Sequence, residues 1–274
     1  MPNSLASDAA GNLYFSESDG TVHRLALAAT LPPPNITPGG VVPADGTSST
    51  IESGEWASIY GANLASGTAN WAGDFPTSLG GTSVTINGKA AYLSFVSPGQ
   101  INLQVPSDTA VGAVQVMVTT SSGSATSMVT LAQFAPSLLL LDARHVAAII
   151  LRFDGSGAYG GGAYDIVGPT GSSFGYPTVA AKPGDTVQLY GTGFGPTSPG
   201  VPAGQAFSGA AQTTNQVSLL INNVSVTPTF AGLSGPGLYQ INLTVPAGLG
   251  SGDASLQASV GGVQTPSGVV ISLR

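Results

Sequence analysis

The 274-residue chain contains no cysteine. Structural disulfides and thiolate metal sites are therefore excluded. Charge is scarce too: Asp, Glu, Lys and Arg make up 7% of the residues, against about a quarter in an ordinary globular protein. Basic residues number six and acidic residues thirteen, a formal net charge of −7. Nucleic-acid phosphates are held by clustered Lys and Arg. Six scattered cations form no such cluster, so no nucleic-acid partner is expected, and anionic membrane surfaces are disfavoured for the same reason. No apolar run approaches the roughly 20 residues of a membrane span; the longest lies around Leu138 to Leu141. Membrane insertion is not expected. The first residues lack a basic segment followed by an apolar one, so no export signal is read in this chain. Helical spacing of apolar residues is nearly absent.

What remains is rich in turns and in short apolar runs. Gly (39) and Pro (20) are abundant, yet 42% of residues are hydrophobic, which is too apolar for a disordered chain. Trp56 to Tyr60, Ser83 to Ile86, Ile101 to Val105, Val114 to Val118, Thr186 to Tyr190 and Gln240 to Val245 mostly alternate apolar and polar residues. That is the pattern of half-buried antiparallel strands.

These strands recur in a fixed order. SGEWASIYGANL (Ser53 to Leu64) matches PGDTVQLYGTGF (Pro183 to Phe194). VTINGKAAYLSFVSPGQINLQVPSD (Val84 to Asp108) matches LLINNVSVTPTFAGLSGPGLYQINLTVPAG (Leu219 to Gly248), and the segment from Val111 to Leu131 matches the one from Gly250 to about Leu273. The shared Gln-Ile-Asn-Leu-x-Val-Pro makes chance similarity a poor explanation. About seven short strands per copy suit an immunoglobulin-like sandwich, so the expected fold is all-β, with two tandem Ig-like sandwiches and an N-terminal β-hairpin. Asn87-Gly88 predicts a type I′ hairpin, and Asn222-Asn223 takes the matching place. Gly61 and Gly191 are expected to turn the chain at a strand end.

Three segments lie outside the repeat: DAAGNLYFSESDGTVHRL near the N-terminus, read as two strands across a Ser-Asp-Gly turn; LPPPNITPGG, read as a Pro-stiffened spacer; and about Ala135 to Ala181, read as a buried strand over Val146 to Phe153 followed by a Gly-rich loop.

Three resemblances follow from these residues. The N-terminal segment resembles the tail of an NHL-type β-propeller blade, which implies a propeller upstream. The strand-turn pairs IYGANL and LYGTGF are similar to those of IPT/TIG domains. From about Pro38 to Arg274, SIYGANL, FPTSLGGTSVTINGKAA, VSPGQINLQVP and GLYQINLTVPAGLGSGD resemble the Solibacter-type C-terminal domain of large exported bacterial proteins. That likeness implies fold and an extracellular or cell-surface setting, and no activity. The expected domains are a half-blade hairpin over 1–30, a Pro-rich linker over 31–40, a first sandwich over 41–136, and a second over 137–274 with a Gly-rich insertion at 154–180.

Candidate chemistry is thin. Gly171-Ser172-Ser173-Phe174-Gly175 fits G-x-S-x-G, but no helix follows to form the elbow which that motif needs. If the chain were a small hydrolase of esters or glycosides, Ser173, His145 and Asp165 would be its set, placed in the central Gly-rich segment. His145 beside Asp142 can equally be a locally bonded strand residue. Glu55 and Asp185 occupy matching repeat positions, which points to turn chemistry. Asp154-Gly-Ser-Gly offers oxygens but no complete Ca²⁺ loop, and neither a metal nor a cofactor is expected. For ligand binding, Trp56, Trp71, Tyr159, Tyr164 and Tyr176 are the candidates, because aromatic rings in low-charge surroundings stack on sugars. Trp56 alternates with Ser58 and Tyr60 and is read as facing solvent; its other reading is a plug of the core or of the contact between the sandwiches. The leading expectation is a non-catalytic extracellular module: a stalk, an adhesive end or a unit that binds polysaccharide or another cell-surface component.

Overall fold

The computed structural model describes residues 4–9, 11–25, 31–44, 48–158 and 162–274, and among them every regular element is a β-strand. The chain forms two compact units, Met1–Pro32 and Pro33–Arg274. The first unit is an antiparallel meander of Ser4–Ser7, Leu13–Ser16 and Val22–Leu25. The turn between the last two strands is closed by Glu17 N–H to Thr21 O at 2.8 Å. The first strand, Ser4–Ser7, lies outside the hairpin expected from sequence; it has a single large apolar residue and so escapes a pattern search.

The second unit carries two separate hydrophobic cores, each between two sheets. In the first sandwich, Asn35–Pro43, Trp56–Ala62, Gln100–Gln104, Tyr92–Val96 and Ala69–Asn70 make one sheet. The facing sheet is built on Thr82–Ile86, Gly112–Thr120 and Gly123–Ala132, with Thr50–Glu52 added in parallel. In the second sandwich, Thr186–Thr192, Leu238–Thr244 and Phe230–Gly235 repeat the first arrangement, and Val217–Ile221 and Gly252–Val260 repeat the second. This is a tandem of Ig-like β-sandwiches. The period-2 alternation drives it: Ile59, Ile101 and Leu103 are fully buried in one core and Leu189, Ile241 and Leu243 in the other. Each such side chain contributes about 1.5–3 kcal/mol on burial. Trimming one, as in Leu103→Ala, would cost about 2–5 kcal/mol.

Two expectations are corrected. The spacer read over Leu31 to Gly40 is shorter, because Asn35–Pro43 is a strand of the first sandwich, pairing Ile36 with Gly61 and Val41 with Ile59. Ile36 and Val41 enter the core, and Pro38-Gly39-Gly40 occupies the register shift between them. Gly61 and Gly191 do not turn the chain; they lie inside strands. A Cβ on Gly61 would stand 2.1 Å from Asn35 O, and one on Gly191 2.6 Å from Ser137 O. Glycine is required there because a neighbouring backbone crosses closely. The left-handed residue is two positions on, Asn63 in one copy and Gly193 in the other. At the hairpins, Asn87 and Gly88 have φ of 51° and 74°, and Asn222 and Asn223 have 48° and 63°, the two positive values that a type I′ turn needs.

The insertion adds strands to the second sandwich. Ala148–Leu151 pairs with Thr186–Thr192 and carries Tyr164–Ile166 on its other edge.

Candidate functional site

The strand that enters each core with Ile and Leu presents its other residues outward. In the first copy these are Gln100 and Asn102, opposite Tyr60 and Ser58 of the adjacent strand. In the second they are Gln240 and Asn242, opposite Tyr190 and Gln188. The side chains adopt one arrangement twice. Gln100 Nε2 donates to Asn102 Oδ1 at 2.7 Å, and Gln240 Nε2 donates to Asn242 Oδ1 at 2.8 Å. Among the described residues, the side-chain carbonyls (Oε1) of Gln100 and Gln240 and the side-chain nitrogens (Nδ2) of Asn102 and Asn242 meet no protein partner. Each copy thus offers an acceptor and a donor beside a tyrosine ring. Tyr60 is 43% exposed. In the second copy Tyr164 lies near Tyr190, and burial, with Tyr164 adding to it, raises the Tyr190 hydroxyl above its ordinary value. The Phe residues Phe95 and Phe230 pair with Asn102 and Asn242 on the next strand.

The remaining aromatic candidates fall in different places. Trp56, Trp71 and Phe75 form one cluster, with Trp56–Trp71 centroids 5.6 Å apart and Trp71–Phe75 4.7 Å apart, both edge-on. Trp56 is not on an open solvent face. Its indole N–H donates to Pro236 O of the second sandwich at 2.7 Å, and a Cβ on Gly237 would stand 3.0 Å from its ring. Tyr176 lies 6.1 Å from Phe174, whose ring meets His145 at 5.1 Å. Tyr159 lies outside the described residues.

The hydrolase set is not assembled. The His145 ring sits between two carboxylates, Nδ1 to Asp142 Oδ2 at 2.8 Å and Nε2 to Asp253 Oδ2 at 3.3 Å. Neither ring nitrogen is left for a serine. The backbone N–H of His145 leads the bonds that hold the Asp142 carboxyl down at about 2. Asp165 is taken by Arg152 Nε at 2.7 Å and Ala158 N–H at 2.6 Å. Burial opposes its ionisation, but those two partners outweigh it and hold the carboxyl below its ordinary value. Arg152 also donates to Asp185 at 3.1 Å. Ser173 is exposed and bonds to neither His145 nor Asp165 among the described residues. Asp154 accepts the Ser156 N–H at 3.0 Å in a local turn, and no described cluster of three or more His, Cys, Asp or Glu is placed to hold a metal ion.

The sandwiches meet at a polar joint. Gln104 accepts the Gly204 N–H through Oε1 and donates to Gly54 O through Nε2, both at 2.9 Å. Ser107 Oγ accepts the Ala203 N–H at 2.9 Å. A Cβ on Gly204 would clash with the Tyr92 ring, 2.1 Å away. Beside this joint lies a cavity of about 410 Å³ whose walls include Glu52, Gln104, Leu233 and Tyr239. Tyr239 and the two Gln-x-Asn pairs were not among the candidates read from sequence. For the latter the signal was present: the motif that established the repeat alternates polar and apolar residues, so its amides must face away from the core.

The fold defines a tandem Ig-like β-sandwich protein, and its candidate faces are uncharged and duplicated. Residues 38–134 match the family model described as the IPT/TIG domain. No curated protein matches the sequence. Among solved structures, the chain is similar to SGBP-B of the Bacteroides ovatus mixed-linkage glucan utilization locus, solved with a mixed-linkage heptasaccharide, at 12% identity and TM-score 0.38, covering 96% of this chain and 52% of that one. It is also similar to SGBP-B from a complex xyloglucan utilization locus in Bacteroides uniformis (15% identity, TM-score 0.26, 86% and 49% covered) and to the I9–I11 tandem of titin (9%, 0.24, 97% and 73%). The chain thus spans about half the length of the two SGBP-B structures. No helix of the described residues is long and apolar enough to cross a membrane.

Proposed function

We propose that the chain is a non-catalytic extracellular module that binds an uncharged polysaccharide through the outward Tyr–Gln–Asn faces of its two sandwiches. The observation that carries this reading is the duplication of one side-chain arrangement, Tyr60 with Gln100 and Asn102, and Tyr190 with Gln240 and Asn242. A sugar ring presents C–H groups to an aromatic face and hydroxyls that both donate and accept. An amide pair with one open carbonyl and one open N–H, set beside a phenol ring, complements that chemistry. The face carries no formal charge, which suits a neutral glycan and makes binding insensitive to salt.

Affinity electrophoresis against soluble polysaccharides, with pull-down on insoluble ones, tests the proposal. The wild type is expected to be retarded by at least one neutral glycan, unchanged between low and high salt. Tyr60→Ala and Tyr190→Ala are each expected to weaken retardation, and the double variant to abolish it. A wild type that no glycan retards, or a double variant that binds as well as wild type, overturns the assignment.

A further inference from the structure

One buried carboxyl at the joint serves neither the Tyr–Gln–Asn faces nor the ion pairs of the second sandwich. Glu52 ends the strand Thr50–Glu52 and is 4% exposed. Its oxygens accept the Gly195 N–H of the second sandwich at 3.1 and 2.9 Å, and Oε1 lies 3.3 Å from Tyr239 Oη. The same hydroxyl bonds tightly to the Gly195 carbonyl. A carbonyl can only accept, and a phenol has a single proton to give. The bond to Gly195 uses that proton. The contact between Tyr239 and Glu52 then needs a second one, and the carboxyl is the group able to carry it.

The surroundings favour the protonated form. Glu52 faces Glu55 of its own turn, Tyr239 of the strand Leu238–Thr244, and, across the cavity, Asp108. No Lys, Arg or His lines that cavity among the described residues. Asp108 is itself held by Asn87 and Lys89. Burial pushes the Glu52 carboxyl up to about 8, against the backbone N–H bonds from Gly195 and Ala135. Burial drives Glu55 well above the carboxylate range as well, with its neighbour Glu52 adding to the effect.

We propose that the joint between the sandwiches is a proton-held clasp, in which Glu52 donates its carboxyl proton to Tyr239 at neutral pH and releases the second sandwich when that proton is lost. Undocked, Glu52 would ionise in the ordinary carboxylate range, so the docked form holds the extra proton between that range and about 8. The clasp is at full strength below about 4.5, weakens by up to about tenfold in docking equilibrium per pH unit, and is weakest above about 8. The ionised form sets a charge against a hydroxyl that has no proton left to offer it, in a site without a cation.

Small-angle scattering of the whole chain from about pH 5.5 to 9.5, for wild type, Glu52→Gln and Glu55→Gln, tests the clasp. The glutamine at 52 keeps an acceptor for Gly195 and an N–H donor for Tyr239 with no proton to lose. The wild type is expected to lengthen reversibly as pH passes about 8, Glu55→Gln to lengthen in the same way, and Glu52→Gln to stay compact throughout. Equal pH profiles for wild type and Glu52→Gln overturn the proposal. If Glu52→Gln does not fold, the wild-type Glu52 carboxyl ¹³C resonance, assigned by comparison with Glu55→Gln, decides: Glu52 titrating near 8 supports the clasp, and Glu52 titrating near 4.5 overturns it.

Discussion

The turn Glu52-Ser-Gly-Glu55 of the first sandwich and the turn Lys182-Pro-Gly-Asp185 of the second share one set of bonds. Glu55 accepts the Glu52 N–H at 2.7 Å and Asp185 accepts the Lys182 N–H at 2.9 Å. The carbonyls of Glu55 and Asp185 accept Val105 N–H and Val245 N–H, each at 2.9 Å, and Gly54 and Gly184 take φ of 83° and 87°. The two then part in charge. Asp185 meets Arg152, which also holds Asp165. Glu55 is 1% exposed, and its Oε2 has no partner among the described residues. One turn geometry is therefore compatible with an ion pair in one copy and a buried, cation-free carboxyl in the other. The difference is what meets the turn: Arg152, just beyond the strand Ala148–Leu151, or the neighbouring sandwich.

The largest break in this comparison should come from Arg152→Met. It leaves Asp165 and Asp185 without the guanidinium they share, and removing one partner of a largely buried pair costs about 3 kcal/mol. Urea unfolding at neutral pH measures it, and the loss should shrink as the medium is acidified and the carboxylates take up protons.

Next comes the pH profile itself. Glu52, raised by burial to about 8, contributes stability that is complete below the ordinary carboxylate value and gone above about 8. Asp165, held low, contributes stability present above the ordinary value and lost as pH falls through its folded value. Thermal unfolding should therefore show an alkaline limb that Glu52→Gln reduces, leaving the part due to Glu55, and an acid limb that Arg152→Met reduces, leaving the part due to Asp142. Limbs that move together in both variants would contradict the separation.

A smaller effect is expected at the joint. Gly237→Ala places a Cβ 2.6 Å from Gly54 O at a φ of 65°, and strain of this kind costs on the order of 1–3 kcal/mol. The loss should appear in the transition of the docked pair. The smallest effect is at the hairpins. Asn223→Gly gives the second copy the glycine that the first has at Gly88 and should stabilise by up to about 1 kcal/mol through relief of the left-handed backbone. Gly88→Asn should lose a similar amount.

Much of this architecture is written in local pattern. Alternation at Ile101 and Leu103 and at Ile241 and Leu243 identifies the core strands, and Asn87-Gly88 identifies its hairpin, because both depend only on neighbours along the chain. The same alternation also implies which amides face outward. Trp56 shows where local reading stops: its strand position is legible, but the Pro236 carbonyl that receives its N–H lies 180 residues away. His145 and Asp165 show the same from the other side: His145 is held between Asp142 and the distant Asp253, and Asp165 is held by Arg152, while Ser173 stands exposed apart from both.

By itself the sequence determined the all-β class, the duplication and the inward faces, since these follow from period-2 burial and turn chemistry within a few residues. Only the tertiary structure decided which carboxyls are ion-paired and which are buried without a cation, where the second sandwich covers the first, and which glycines are demanded by a crossing backbone. Those are consequences of what packs against each group, and the packing partners come from far along the chain.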